Sequence, residues 1–405
     1  MSIRRLTYLS LSAVLLLGLF NNAFAQTTTA LPENEEIKIG NLMPYSGPAS
    51  AFGVIGRVEA AYANMINDKG GINGRKVRFI TYDDAYSPAK AVEQVRRLVE
   101  NDDVLFVVSP VGTATSSAIQ RYLNTKNVPG LFIGSPSPKF GDPKASPWTT
   151  GFQPSIGTEV RIYVSYLLKQ KPDAKVALLY QNDDYGKDYR SALREALGER
   201  ADRMIVAEAS YESTDPTVDS QIVRLKASGA DTLFNVSSPK FTVQVIKKVS
   251  ELNWKPVHFI YNGTTSRAAV MAPAGYSNAQ GILSVVYLKD ASDPQWQGDP
   301  GVQKFVGFLE KYYPNANKGD NLLLAYGYTV FQVLEVVLKN AGNDLSRDNI
   351  MKQATSLNRV PSDMLIDGIT ASTDAINRFP IRQLQMMEFQ GEGWTRFGPI
   401  LSDVQ

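Results

Sequence analysis

Cysteine is absent from all 405 residues. That excludes disulfides, cysteine-based zinc sites and thiol nucleophiles. It also excludes a lipid anchor on an exported chain, which would need a cysteine just after the leader. Histidine is nearly as scarce, with His258 standing alone. Any Ser-His-Asp or Cys-His constellation would have to use that residue, and a metalloprotease helix with two histidines is impossible. A structural role in or near the core is the expectation for His258. An excess of one charge is missing too. Lys and Arg total 42 against 40 Asp and Glu, and Arg4 and Arg5 belong to an N-terminal leader, so the rest of the chain balances. Such a chain has no electrostatic footprint for nucleic acid or for a polybasic membrane contact. There is no phosphate-binding Walker loop and no G-x-S-x-G elbow. Gly53-Val54-Ile55-Gly56 is half of a dinucleotide fingerprint whose first glycine is absent. No enzyme, cofactor or metal is therefore expected. After the leader, no stretch reads as long and apolar enough to cross a bilayer.

The leader itself is explicit. Arg4 and Arg5 precede the uncharged apolar run Leu6–Phe20, and Ala23-Phe24-Ala25 places small residues where a signal peptidase cuts. Residues 1–25 are thus expected to be a cleaved signal peptide. Without a lipid anchor the mature chain needs an outer membrane to retain it, which points to a periplasm.

The chain beyond the leader exceeds one ordinary core and predicts two domains. Strand patterns at Ile37–Leu42, Val77–Tyr82, Leu105–Val108 and Leu131–Ile133 alternate with helical ones, the clearest running from Gly53 to Asp68 and stopping at Gly70-Gly71. Ser109–Ser117 reads as a small, hydroxyl-rich loop. The alternation restarts after Gly151 with helices at Glu159–Lys169, Asp188–Leu197, Val218–Ser228 and Phe241–Leu252, and strands at Val176–Tyr180, Met204–Glu208, Thr232–Val236 and Val257–Tyr261. The tail is more helical, over Val302–Tyr313 and Leu322–Asn340, before a strand at Gln383–Phe389. Repeated strand–helix units predict an α/β fold of two doubly wound parallel-sheet lobes.

In such sheets ligands bind beyond the C-terminal strand ends, where helix N-termini attract anions. The residues predicted there are small and hydroxylated: Gly112, Thr113, Ser135 and Ser137 in the first half, with Ser237, Ser238, Gly263 and Thr264 in the second. Phe52, Tyr185 and Phe241 are placed as apolar walls. Ordinary turns and caps use the same small residues; their clustering at strand ends in both halves is what points to a ligand. The acid pairs Asp83-Asp84 and Asp183-Asp184 point apart along the chain and are expected to cap helices or face solvent.

These residues resemble a known family. Met43-Pro44-Tyr45-Ser46-Gly47-Pro48, Phe52-Gly53, Asn67-Asp68-Lys69-Gly70-Gly71-Ile72-Asn73-Gly74-Arg75-Lys76, Tyr82-Asp83-Asp84 and Tyr185-Gly186 are similar to the substrate-binding proteins of ABC importers in the leucine/isoleucine/valine-binding class. The resemblance implies a type I periplasmic-binding-protein fold, in which two lobes joined by a three-strand hinge close on the ligand. It implies lobes formed by residues 36–151 with 283–381 and by 152–282 with 382–400. It implies a carboxylate held by Thr113 and by the loop of Ser135 and Ser137, with Phe52 walling the pocket and Tyr185 closing it. Permease membrane subunits would be the partners, and a monomer is expected. Amino-acid binders of the class place an acid after the last strand of the second lobe, whereas Tyr261-Asn262-Gly263-Thr264-Thr265-Ser266 contains none. An ammonium buried there would lack a partner. Trp148–Pro154 and Ser238-Pro239-Lys240-Phe241 look more like a branch that binds benzoate- and cinnamate-type acids, so an aromatic acid is expected before an α-amino acid. A branched-chain amino-acid binder for transport, and a ligand-sensing subunit of a membrane receptor, are the alternatives.

Overall fold

The computed structural model describes residues 35–402; the leader expected over residues 1–25 lies outside them. In chain order the elements are β1 (Ile37–Met43), α1 (Gly53–Asp68), β2 (Val77–Asp83), α2 (Pro88–Arg96), β3 (Phe106–Val108), α3 (Thr113–Thr125), β4 (Gly130–Ile133) and β5 (Thr149–Gly151). Next come α4 (Ile156–Gln170), β6 (Val176–Gln181), α5 (Asp184–Leu197), α6 (Ala201–Met204), β7 (Ile205–Tyr211), α7 (Asp219–Ala227), β8 (Thr232–Val236), α8 (Pro239–Glu251), β9 (Val257–Ile260), α9 (Ala272–Ala274) and β10 (Leu283–Val286). The tail holds α10 (Pro300–Tyr312), α11 (Asn321–Ala341), α12 (Arg347–Ala354), β11 (Gln383–Gln390) and β12 (Gly393–Ser402).

Two sheets result. The first has the order β2-β1-β3-β4-β5 and is parallel throughout. The second has the order β12-β11-β10-β9-β8-β6-β7, parallel from β10 to β7 and closed by the antiparallel hairpin of β11 and β12. Strand alternation sends apolar residues to both faces. In the first sheet Ile37, Ile39, Phe106 and Val108 pack with Val58, Tyr62 and Phe331 of α1 and α11. Leu42 and Val107 pack with Ala91, Val95, Ile119 and Leu123 of α2 and α3. In the second sheet Val176, Leu178, Phe234 and Phe259 meet α4 and α5, and Ala177, Leu179 and Leu233 meet Ile222, Leu225, Phe241 and Val245 of α7 and α8. His258 lies in β9, 5% exposed. Burial pushes its pKa down to about 3, so it is a neutral core residue.

Three chain crossings join the sheets; the first bonds to the third, and the second bonds to residues 364–366 of the chain between the second and third. Ile381 donates its N–H to the Phe152 carbonyl at 3.4 Å, Ile366 to that of Tyr287 at 3.0 Å, and Lys289 to that of Met364 at 2.8 Å. Residue 283, where the sequence puts the chain back in the first lobe, is the first residue of β10. That strand pairs through Leu283 with Phe259 and along its length with β11; we propose that the chain leaves the second lobe after Val286.

Three further expectations are corrected. Ser109–Ser117 is not all loop, because α3 begins at Thr113. The small residues there lack an apolar stripe, but Ile119 and Leu123 anchor the helix one turn on. Phe241 does not wall a pocket. It is fully buried, 4.3 Å from the Tyr211 ring and on the same helical face as Val245 and Val249. Finally, residues 318–341 are long and apolar enough to cross a bilayer, yet 78% of the apolar window within that stretch is buried inside the fold.

The α1–α11 contact is close because Gly327 has no side chain. A β-carbon there would sit 2.5 Å from Val58 Cγ1 and 2.9 Å from the Ile55 carbonyl. Gly327→Val is expected to lower stability by about 1–3 kcal/mol, read as a lower urea midpoint with an unchanged slope.

Candidate functional site

The C-terminal ends of the parallel strands in the two sheets face each other across a cleft. On the first side, the turn from β3 into α3 passes through Gly112 at φ 119°, where a β-carbon would strike the Tyr86 ring at 2.7 Å. Gly112 is the N-cap of α3 and has no capping side chain. The first-turn amides of α3 therefore have no intrahelical partner and favour negative charge nearby. Thr113 Oγ1 lies 2.7 Å from Ser135 Oγ, and Ser135 Oγ accepts from the Ser137 N–H at 3.2 Å.

The cleft contains two adjoining chambers. The polar one, about 410 Å³ including its open mouth, is lined by Tyr86, Gly112, Thr113, Gln181, Tyr185, Ser237, Ser238 and Thr264. The mainly apolar one, about 610 Å³ on the same measure, is lined by Phe52, Ile55, Gly263, Val285, Val286, Tyr287, Leu322, Leu323 and Tyr326, with Asn262, Thr265 and Ser266 as polar positions whose side chains are engaged within the fold. Val111, Gly134 and Tyr261 border both. Gln153, in the first crossing, donates to the Tyr261 hydroxyl at 2.7 Å and holds that shared wall. Among the described residues no Lys or Arg lines either chamber. Three buried hydroxyls on these walls have no hydrogen-bond partner: Tyr185, Ser238 and Tyr326.

Eight of the ten predicted residues line the cleft: Phe52 and Gly263 the apolar chamber, and Gly112, Thr113, Tyr185, Ser237, Ser238 and Thr264 the polar one. Some of their hydroxyls are already engaged. Ser237 Oγ donates to Asn235 Oδ1 and pairs with Thr242 at 2.8 Å, and Thr264 Oγ1 donates to the Tyr261 carbonyl at 2.8 Å. The other two stand back. Ser135 supports Thr113 from behind, and Ser137 donates across the cleft to Asp188.

The sequence alone missed Tyr86, Gln181, Gln153 and Tyr326. Tyr86 comes directly after Ala85, and both are left-handed, at φ 57° and 51°. Such conformations are strained for non-glycine residues. The preceding acid pair holds them there: Asp83 Oδ1 accepts the Ala85 N–H at 2.9 Å and Asp84 Oδ1 the Tyr86 N–H at 2.8 Å. The turn presents the Tyr86 hydroxyl to the second lobe, where it accepts from Gln181 at 3.2 Å and donates to Asp183 at 3.4 Å. Lys139–Asp184, at 2.7 Å, makes a further bridge at the mouth. That pair is partly exposed and contributes at most about 1 kcal/mol.

The acids around the cleft are occupied. Burial, offset by its hydrogen bonds, raises the Glu159 carboxyl from 4.5 to about 7. One of its oxygens accepts from Tyr189 at 3.0 Å and the other from Asn262, a residue of the apolar chamber wall. Asp183 is likewise raised by burial, and it caps α5 through the Gly186 N–H at 3.2 Å.

A family profile described as "Periplasmic binding protein" matches residues 36–393. The Leu/Ile/Val-binding protein homolog 7 of Brucella suis biovar 1 (strain 1330) is 24% identical over 371 residues, covering 89% of this chain and 91% of its own. Three solved structures share the fold. A branched-chain amino acid ABC transporter protein from Thermus thermophilus with bound valine superposes with a TM-score of 0.82 at 16% identity, over 92% of this chain and 97% of its own. A fatty acid ABC transporter substrate-binding protein from Thermomonospora curvata gives 0.79 at 18%, over 93% and 94%. An R. palustris ABC transporter solute-binding protein in complex with 4-hydroxybenzoate gives 0.75 at 18%, over 91% and 97%.

The Glu159 arrangement makes a signed prediction. The folded state binds this proton more tightly than the unfolded chain does. The resulting stability is full below pH 4.5 and is lost as pH rises through about 7. Glu159→Gln lacks that loss. Relative to wild type, its urea-derived stability is expected to improve by up to about 3 kcal/mol between pH 5 and pH 8; a constant difference across that range would contradict the assignment.

Proposed function

The chain belongs to the periplasmic binding protein family, whose members are non-enzymatic transport receptors, and on that premise we propose that it captures a small organic carboxylate for an ABC importer, an aromatic acid in preference to an α-amino acid. One observation carries the choice of ligand: two chambers lined by no Lys or Arg among the described residues, one hydroxylated and the other mainly apolar. The hydroxyl end lies at the N-terminus of α3, where Thr113, Ser238 and Tyr185 are available to a carboxylate. Neutral donors converging on an anion form charge-assisted hydrogen bonds, which are stronger than neutral ones. The apolar end accepts an uncharged body between Phe52 and the α11 wall.

An α-ammonium fits this cleft poorly. The loop where amino-acid binders of the class place an acid runs Tyr261–Ser266 here and contains none, and each oxygen of Glu159 behind it accepts a hydrogen bond, one of them from Asn262. A buried ammonium without an acceptor is costly. The R. palustris protein with 4-hydroxybenzoate supports the preferred ligand class, while the valine-bound and fatty-acid proteins set the alternatives the test must include. In this proposal the chain is exported by residues 1–25, remains unlipidated in the periplasm, acts as a monomer and delivers its ligand to permease subunits.

The first test is a thermal-shift panel on residues 26–405, refolded to remove carried-over ligand. The panel holds hydroxybenzoates, cinnamates, fatty acids, dicarboxylates and branched-chain amino acids. A ligand at 100 times its dissociation constant stabilises the native state by about 2.7 kcal/mol. A shift with aromatic acids is the expected result; a shift with leucine or valine alone would overturn the ligand class. Thr113→Val is expected to weaken the bound acid at least about tenfold, since the carboxylate loses a donor. Its stability should fall by no more than about 1 kcal/mol, because the Ser135 hydroxyl keeps another partner. Unchanged affinity would remove Thr113 from the site.

A further inference from the structure

The carboxylate reading accounts for the polar chamber and leaves one wall residue of the other chamber unexplained. Tyr326 lies on α11 and is 6% exposed, and its hydroxyl has no partner. Its ring is fixed edge-on against Phe152, with centroids 5.6 Å apart and planes at 89°, which restricts the hydroxyl's freedom to turn toward another partner. Its neighbours along the helix, Leu322, Leu323, Leu324 and Ala325, are apolar. Phenylalanine would satisfy that packing without burying an unpaired oxygen. The adjacent Tyr261 hydroxyl, by contrast, is engaged by Gln153.

We infer that the ligand carries an uncharged hydrogen-bonding group of hydroxyl type on the end remote from its carboxylate, and that Tyr326 selects for it. The inference rests on the reading of the cleft as a carboxylate site. A hydroxyl can donate to the tyrosine oxygen or accept from it. A plain C–H end leaves the Tyr326 hydroxyl orphaned, and burying an unpaired hydroxyl is unfavourable. A second carboxylate there would be buried without a cation, since no Lys or Arg lines the apolar chamber. Discrimination of this kind is strong because the site's own polar atom is left unpaired by the wrong ligand.

Isothermal titration of refolded wild type and Tyr326→Phe with matched acids tests this. The pairs are benzoate with 4-hydroxybenzoate, cinnamate with 4-hydroxycinnamate, and octanoate with 8-hydroxyoctanoate; terephthalate and adipate supply the dicarboxylate arm. In wild type the hydroxylated member of the best-binding pair is expected to be at least about tenfold tighter than its partner, with dicarboxylates weaker than both. In Tyr326→Phe that ratio should fall to within about twofold, because the hydroxylated acid loses its partner and the unhydroxylated acid, which no longer orphans a hydroxyl, binds at least as tightly as to wild type. The retained affinity separates lost recognition from a damaged fold. Equal binding within every pair in wild type, a preference that survives in Tyr326→Phe, or dicarboxylates binding as tightly as the monoacids would overturn the inference and leave the carboxylate reading standing. If no acid binds wild type, the carboxylate reading itself falls and takes the inference with it.

Discussion

A buried hydroxyl without a partner is unfavourable by roughly 1–3 kcal/mol, and three such groups line the space between the two sheets. Much of the rest of the architecture can be understood from that constraint. Elsewhere, buried polar atoms are commonly paired within the chain. Asn41 bridges the carbonyls of Val108 and Ser109 at 2.9 and 3.1 Å, and Thr81 links Asn41 to Tyr45 through bonds of 2.7 and 2.8 Å. The three cleft hydroxyls come from the start of α5, the loop before α8, and α11. The residues that carry them stand at the edge of the cavity, with the oxygens themselves shielded from solvent. The two parallel sheets supply that edge by directing their C-terminal strand ends at each other.

The bridges across the mouth are few: Tyr86 bonded to Gln181 and Asp183, a part-exposed ion pair and a single serine–aspartate contact. Interactions of this size can orient two lobes without locking them. Three crossings, the first bonded to the third, make a hinge whose motion need not break either sheet. A ligand touching α3 on one side and Tyr185 or Ser238 on the other makes its full set of contacts only when the mouth is shut. That difference in contacts between open and shut states is what allows binding to shift their balance.

Legibility in the sequence depends on the range of the forces involved. The bounds of α1 were visible because its apolar stripe and its glycine stop are local, and the structure reproduces them residue for residue. Buried strands such as β6, β8 and β9 were visible as apolar runs, whereas the short buried strands β5 and β10 were not. β12 was not, since Gly393, Gly398 and Pro399 carry turn signals that an edge strand of a hairpin tolerates. α3 was read as loop because its first turn is small and hydroxylated, the composition that suits a helix start beside a ligand. The hydroxylated strand ends revealed the polar chamber. The apolar chamber was hidden, because its walls come from α1, β10 with the chain just after it, and α11, segments far apart in sequence. Tyr326 looked like one more core residue of an apolar helix, and only the three-dimensional packing exposes its missing partner.

Charge placement then narrows what the cleft can hold. Glu159 lies in the first turn of α4 and bonds to Asn262 of the Tyr261–Ser266 loop, so an acid is present in this region. Asn262 stands between it and the cavity, and with Tyr189 it takes up the acid's hydrogen-bonding capacity. The carboxyl thus serves to position the Tyr261–Gly263 loop, and burial raises its pKa toward neutrality. The side of the cleft that would need a negative charge to receive an ammonium instead presents an amide. Across from it, the α3 terminus and its hydroxyls favour an anion without a cation to neutralise it. Under the proposed function, a cleft polarised this way would accept one negative charge at one end and penalise a charge at the other, which would favour amphipathic monoacids on electrostatic grounds before shape is considered.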